Sequence, residues 1–139
     1  MKNRAILDTG CSQTCAGKVW HEDFINSLSV EDRAEVKVQD SKARFTFGSG
    51  KVYKSLFLVT APVYIAGVRR HIAYDVLDTD IPLLLSLVVI KKLGLETKYG
   101  EDKDHFYVDG KEIEVKHCQG HHWFPIIKNH DKYWDEEEH

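Results

Sequence analysis

Asp8 stands where an apolar run stops: Arg4-Ala5-Ile6-Leu7 leads directly into Asp8-Thr9-Gly10-Cys11-Ser12. A strand that ends in a carboxylate, a hydroxyl and a glycine presents an acid at the mouth of a site. The glycine allows a close backbone turn and leaves the carboxylate uncovered. Two such carboxylates a few ångström apart cannot both ionise, so they share a proton. One then acts as general base on a water while the other, protonated, polarises a carbonyl, a hydrolysis that calls for no cofactor and no metal. The chain carries the motif once, so the second carboxylate is expected from the two-fold mate of a homodimer. The tripeptide alone is a weak signal, because an ordinary Asx turn at a strand end uses the same residues.

Two other groupings have residue types that could do chemistry. Leu77-Asp78-Thr79-Asp80 echoes Leu7-Asp8-Thr9-Gly10. The glycine is replaced by Asp80, however, and two lobes of about 70 residues would each be too small for a two-lobed enzyme. Asp78 and Asp80 therefore read as polar residues at a strand edge. Cys118-x-x-His121-His122, with His117 adjacent and Cys11-x-x-x-Cys15 upstream, offers ligand types that zinc accepts. The spacing fits neither a finger nor a ribbon, so the histidines read as surface residues beside a strand. Cys11 and Cys15 read as small buried apolar residues.

The elements that must position Asp8 are mostly extended. Val19, Trp20, Phe24 and Leu28 recur at helical spacing, and Ser29 with Asp32 resembles a capping box for a further turn through Val36. This predicts an inserted helical segment near residues 19–36. Phe45 and Phe47 then alternate with polar neighbours before Gly48-Ser49-Gly50, and Val52, Leu56, Leu58 and on to Tyr64-Ile65 read as extended, which makes a glycine-tipped hairpin followed by a long strand. Ala66-Gly67 turns the chain into a strand over His71–Leu77. Ile81-Pro82-Leu83-Leu84-Leu85 is too short for a helix and starts at a proline, so it reads as a buried strand. Ser86 is suited to cap one short helix near residues 87–93, with Lys91-Lys92 in its last turn and Gly94 just beyond. A last hairpin pairs Phe106–Val108 with Ile113–Val115 about Asp109-Gly110.

The chain of 139 residues is long enough for one core and not for two. The reading is one domain over residues 1–126 and a charged, solvated tail over 127–139. A net charge of -3 with mixed signs leaves no basic face for nucleic acid. No apolar run approaches the roughly 20 residues of a membrane helix, and none forms a secretory core near the start. An odd count of 3 cysteines argues for a reducing, cytoplasmic setting.

Three segments, in this order and spacing, resemble the retropepsin family, and within it the protease segment of LTR-retrotransposon and retrovirus-type Gag-Pol polyproteins. Ala5-Ile6-Leu7-Asp8-Thr9-Gly10 is similar to the family's catalytic signature. Phe45-Thr46-Phe47-Gly48-Ser49-Gly50-Lys51 is similar to its flap, and Asp80–Ser86 running into Leu87–Gly94 to its second apolar strand and following helix. The resemblance implies a mostly β, closed-barrel acid protease fold. It also implies a homodimer, an extended peptide or polyprotein substrate, and peptide-bond hydrolysis by water held between two Asp8 carboxylates. Thr9 and Gly10 would support the dyad, and Phe47, Gly48, Ser49 and Gly50 would close over the substrate. Leu83 and Leu84 would line pockets for its apolar side chains. A polyprotein origin would put the protein in the cytoplasm or inside virus-like particles.

The chain departs from the family pattern at Cys11, where Ala or Ser is usual, and at Ser86, where Gly is usual. Only seven residues precede Asp8, so the dimer interface is expected from the Phe106–Val115 hairpin, or the dimer is weak. A binding or dimerisation module without proteolysis, and a small zinc-binding adaptor, are the alternative readings.

Overall fold

The computed structural model describes residues 4–7, 13–47, 50–118 and 121–126. The run before Asp8 forms β1 (Arg4–Leu7), and Cys15–Gly17 forms β2. Two helices follow, α1 (Lys18–Ser27) and α2 (Val30–Arg33), then the edge strand β3 (Lys37–Gln39). A separate hairpin, β4 (Arg44–Thr46) with β5 (Val52–Lys54), precedes the long pair β6 (Phe57–Ile65) and β7 (Val68–Leu77). The chain continues through β8 (Leu83–Leu85), α3 (Leu87–Lys92), β9 (Leu95–Lys98), β10 (His105–Val108), β11 (Lys111–Ile113), β12 (Lys116–Cys118) and β13 (His121–Pro125).

The protein is mostly β, as expected, but the sheet is not a closed barrel. Eight strands run in the order β12-β13-β1-β8-β2-β7-β6-β3, beside a three-stranded sheet β11-β10-β9 and the two-stranded hairpin β4-β5. Closure would require β12 and β3 to pair with each other. Each has three residues, and all three of β3 are exposed, so among the described residues the ends stay open.

The helical segment and the late helix form where the sequence puts them, with one difference in face. Trp20, Phe24 and Leu28 are buried, whereas Val19 is 57% exposed. At about 100° per residue, Val19 is rotated off the stripe that its neighbour Trp20 occupies. The Ser29 hydroxyl accepts from Asp32 N at 3.1 Å and caps α2. Ser86 caps α3, and Gly94 follows with φ 69°, the left-handed geometry of a helix stop.

The hairpin and the long strand after it meet at Ser55-Leu56, where the chain leaves the small hairpin and joins the main sheet. Leu56 N donates to Val76 O at 2.8 Å, and the β6–β7 ladder begins at Phe57. The last hairpin is tighter than expected: its second strand is Lys111–Ile113, two residues nearer the turn than Ile113–Val115. Its Asp109-Gly110 turn has φ of 51° and 81°, the pair of positive angles that a two-residue hairpin turn needs.

Candidate active site

β8 lies between β1 and β2, parallel to β1 and antiparallel to β2. Leu7 is the register partner of Leu85, so β1 ends where β8 ends. On the other side, Thr14 Oγ1 donates to Ser86 Oγ at 3.1 Å and accepts from Ser86 N at 3.0 Å. The two stems of segment 8–12 are therefore fastened to consecutive residues, Leu85 and Ser86. Asp8, Thr9, Gly10 and Cys11 themselves lie outside the described residues.

The scaffold around these stems is dry. Ala5, Leu83 and Leu85 are fully buried in the main core with Trp20, Phe24 and Tyr74. Trp20 Nε1 donates to Arg4 O at 3.2 Å, tying α1 to the strand that delivers Asp8. Trp20 stacks on Phe24 at 5.0 Å and meets Tyr74 edge-on at 5.6 Å. Strand alternation separates the two expected pocket residues: Leu83 has no exposed surface, while half-buried Leu84 points to the opposite face. Leu84 packs there against Ile6 and Trp123, and against Cys15, Phe45 and Leu77.

The expected flap is a real hairpin. Phe45 pairs with Tyr53 and Thr46 with Val52, and Gly50 N donates to Phe47 O at 2.9 Å. Gly50 has φ 79°, which explains a glycine there. Gly48 and Ser49 lie outside the described residues. Phe47 is half-buried, with its ring 5.7 Å from that of Tyr53. Phe45, Phe47 and Tyr53 pack onto the cluster of Cys15, Leu77, Ile81 and Leu84. The hairpin base thus rests on the same face of β8 that Leu84 occupies.

Asp75 is a residue that the sequence reading passed over. It is a buried carboxylate within the run Ile72-Ala73-Tyr74-Asp75-Val76-Leu77, and its Oδ1 accepts from Ser41 Oγ at 2.6 Å and Ser55 Oγ at 2.8 Å. An acid inside an apolar strand was the available signal, since such a group must be hydrogen-bonded to be tolerated. A second polar pair lies under α1, where His21 Nδ1 and Tyr74 OH are 2.7 Å apart. Burial pushes the His21 pKa down against the opposing charge of Glu22, and burial pushes the Tyr74 hydroxyl up.

The remaining candidates separate from this region. Asp78 and Asp80 are exposed beyond the end of β7. Cys15 is buried against Phe45 and Leu77, as an apolar residue would be. His117 and His122 are register partners with rings 5.0 Å apart, and no group of three or more metal-ligand types comes together among the described residues. A cavity of about 330 Å³ lies against the three-stranded sheet, lined by Lys103, His105, Phe106, Glu112 and Val115, and includes none of the expected site residues. Among the described residues no helix is long and apolar enough to cross a membrane. No family model, curated protein or solved structure matches the chain.

Proposed function

We propose that this chain is a retropepsin-like aspartic endopeptidase, active as a homodimer, in which two Asp8 carboxylates share a proton and activate a water. The observation that carries the reading is the double anchoring of segment 8–12. Leu7 is held on Leu85 and Thr14 on Ser86, so the single Asp-Thr-Gly of the chain is a short connection with both ends fixed at one strand-to-helix junction. A catalytic carboxylate has to be held to within a fraction of an ångström, and rigid stems supply that. The hairpin seated on Leu84 and Cys15 gives the same face a lid, under which an extended peptide would add strand-like hydrogen bonds. Polyprotein processing in the cytoplasm is the setting this reading favours.

Ser86 does not weigh against catalysis. Its hydroxyl is committed to Thr14 and to Val89 N at 3.4 Å, a capping role compatible with an open site in front of β8. The test is cleavage of a peptide library near pH 5 by the wild-type chain, Asp8→Asn and Asp78→Asn. Cleavage lost only in Asp8→Asn supports the proposal. Peptide binding without cleavage in all three chains would leave the binding-module reading in its place.

A further inference from the structure

The carboxylate of Asp75 joins the two pieces of chain that flank the hairpin. Ser41 precedes the hairpin and Ser55 follows it, and both donate to the same oxygen, Oδ1. The two feet are also joined to each other: Ser55 N donates to Ala43 O at 2.9 Å, and Ala43 N donates to Ser41 Oγ at 3.2 Å. Through its main chain Asp75 reaches the other part of the site. Asp75 N donates to Thr14 O at 3.1 Å, and Thr14 is the stem bonded to Ser86. Asp75 also sits in the middle of the main sheet, opposite Cys15 on β2 and Leu58 on β6. One residue of a rigid central strand therefore holds the stem of the Asp8 segment with its backbone and both feet of the hairpin with its side chain.

We propose that Asp75 is the positioning residue that sets the hairpin's location relative to the Thr14–Ser86 junction. This rests on the reading of the hairpin as a substrate lid. Hydrogen bonds to a buried carboxylate are stronger than neutral ones, and here they add to the apolar seat of Phe45 and Phe47 in holding a hairpin whose strands have three residues each.

Three variants test this: Asp75→Ala, Asp75→Asn, and Ser41→Ala combined with Ser55→Ala. Amide hydrogen exchange is followed in the hairpin (residues 44–46 and 52–54) and in the β6–β7 ladder, alongside kcat and KM on a cleaved peptide. In Asp75→Ala the hairpin amides should exchange at least about tenfold faster while the ladder amides keep their protection. KM should rise by about tenfold with kcat changed less than about twofold, as for loss of ground-state positioning. Asp75→Asn should recover most of both readouts, because its amide oxygen still accepts from the two serines, though without the carboxylate's charge. The double serine variant should repeat the Asp75→Ala pattern, and it serves in its place if Asp75→Ala does not fold. Hairpin and ladder amides accelerating together, or an unchanged hairpin, would overturn the proposal. So would a loosened hairpin that leaves KM unchanged. If the wild-type chain cleaves no peptide, the protease reading fails by itself, and the exchange pattern still decides whether Asp75 positions the hairpin.

Discussion

Thr14 and Ser86, 72 residues apart in the chain, are joined by two hydrogen bonds in opposite directions, one from each residue. Both are buried, so the pair excludes water at the point where β8 becomes α3. Ser86 has a second duty there, since its hydroxyl accepts from Val89 N and caps the helix.

Replacing Ser86 should therefore cost more than the cap. Ser86→Ala removes the cap, about 1 kcal/mol, and also leaves the Thr14 hydroxyl without its acceptor, for a total of about 2 kcal/mol. Ser86→Gly should be milder, because glycine substitutes for a capping residue at a cost of only a few tenths of a kcal/mol. Denaturant midpoints of the two variants check the order. An alanine variant as stable as wild type would mean that the junction holds without this pair.

Gly17 and Gly50 should respond in opposite ways to alanine. A Cβ on Gly17 would lie 2.3 Å from Thr79 O and 2.6 Å from Ile81 O, both backbone atoms that cannot swing aside. Gly17→Ala should therefore displace the chain entering β8 and destabilise the whole domain by about 3 kcal/mol. At Gly50 nothing lies within 4 Å, and only the positive φ resists a side chain. Gly50→Ala should cost about 1 kcal/mol, confined to the hairpin. Global unfolding midpoints, with hydrogen exchange in the hairpin, separate the two.

Legibility in the sequence followed the strength of the local signal. Ser86 as a cap, Gly94 as a helix stop and Asp109-Gly110 as a turn were readable because each residue type answers a backbone requirement at its own position. The three-residue strands β2, β3 and β12 were not, because their pairing comes from distant partners: Cys15 meets Asp75, Lys37 meets Thr60, and Lys116 meets Trp123. Barrel closure belonged to the family resemblance alone, and the length of the end strands decided otherwise.

Asp32 should make the fold acid-sensitive. Burial alone would raise its pKa, but hydrogen bonds from Tyr64 OH at 2.8 Å and from Arg69 at 3.0 and 3.1 Å, with the Arg69 charge, hold it below the ordinary carboxylate value of 3.8. A folded-state pKa below the unfolded one gives stability that is complete above the unfolded value. That stability is lost as pH falls through the folded value. The loss should therefore begin below about pH 4 and leave the neutral range untouched. Asp32→Asn should be less stable at pH 7 by about 2 kcal/mol, with the gap to wild type closing on acidification. A gap that stays constant down to pH 3 would remove Asp32 from the acid response.

The proposed dyad gives a different acid dependence, at a higher pH and in a different observable. Two Asp8 carboxylates brought together by dimerisation titrate as a pair, with one apparent pKa pushed down and the other up relative to the separate protomers. Between the ordinary carboxylate value and the raised one, the dimer holds one proton that two separate protomers do not. Dimerisation then takes up a proton, so acidification should tighten the dimer by up to about tenfold per pH unit across that interval. Above the raised value both carboxylates are ionised and repel, and the dissociation constant should level off. The singly protonated dimer is also the working form, so kcat/KM should be bell-shaped on the acidic side of neutrality, and specific activity should fall on dilution. Sedimentation and peptide cleavage measured together from about pH 4 to 8 read both effects, in a range above the one where Asp32 lowers stability. Asp8→Asn should abolish the cleavage and flatten the pH dependence of the dimer constant. A wild-type activity that climbs steadily to pH 8, or that a chelator abolishes and zinc restores, would replace the paired-aspartate mechanism with a metal-dependent one.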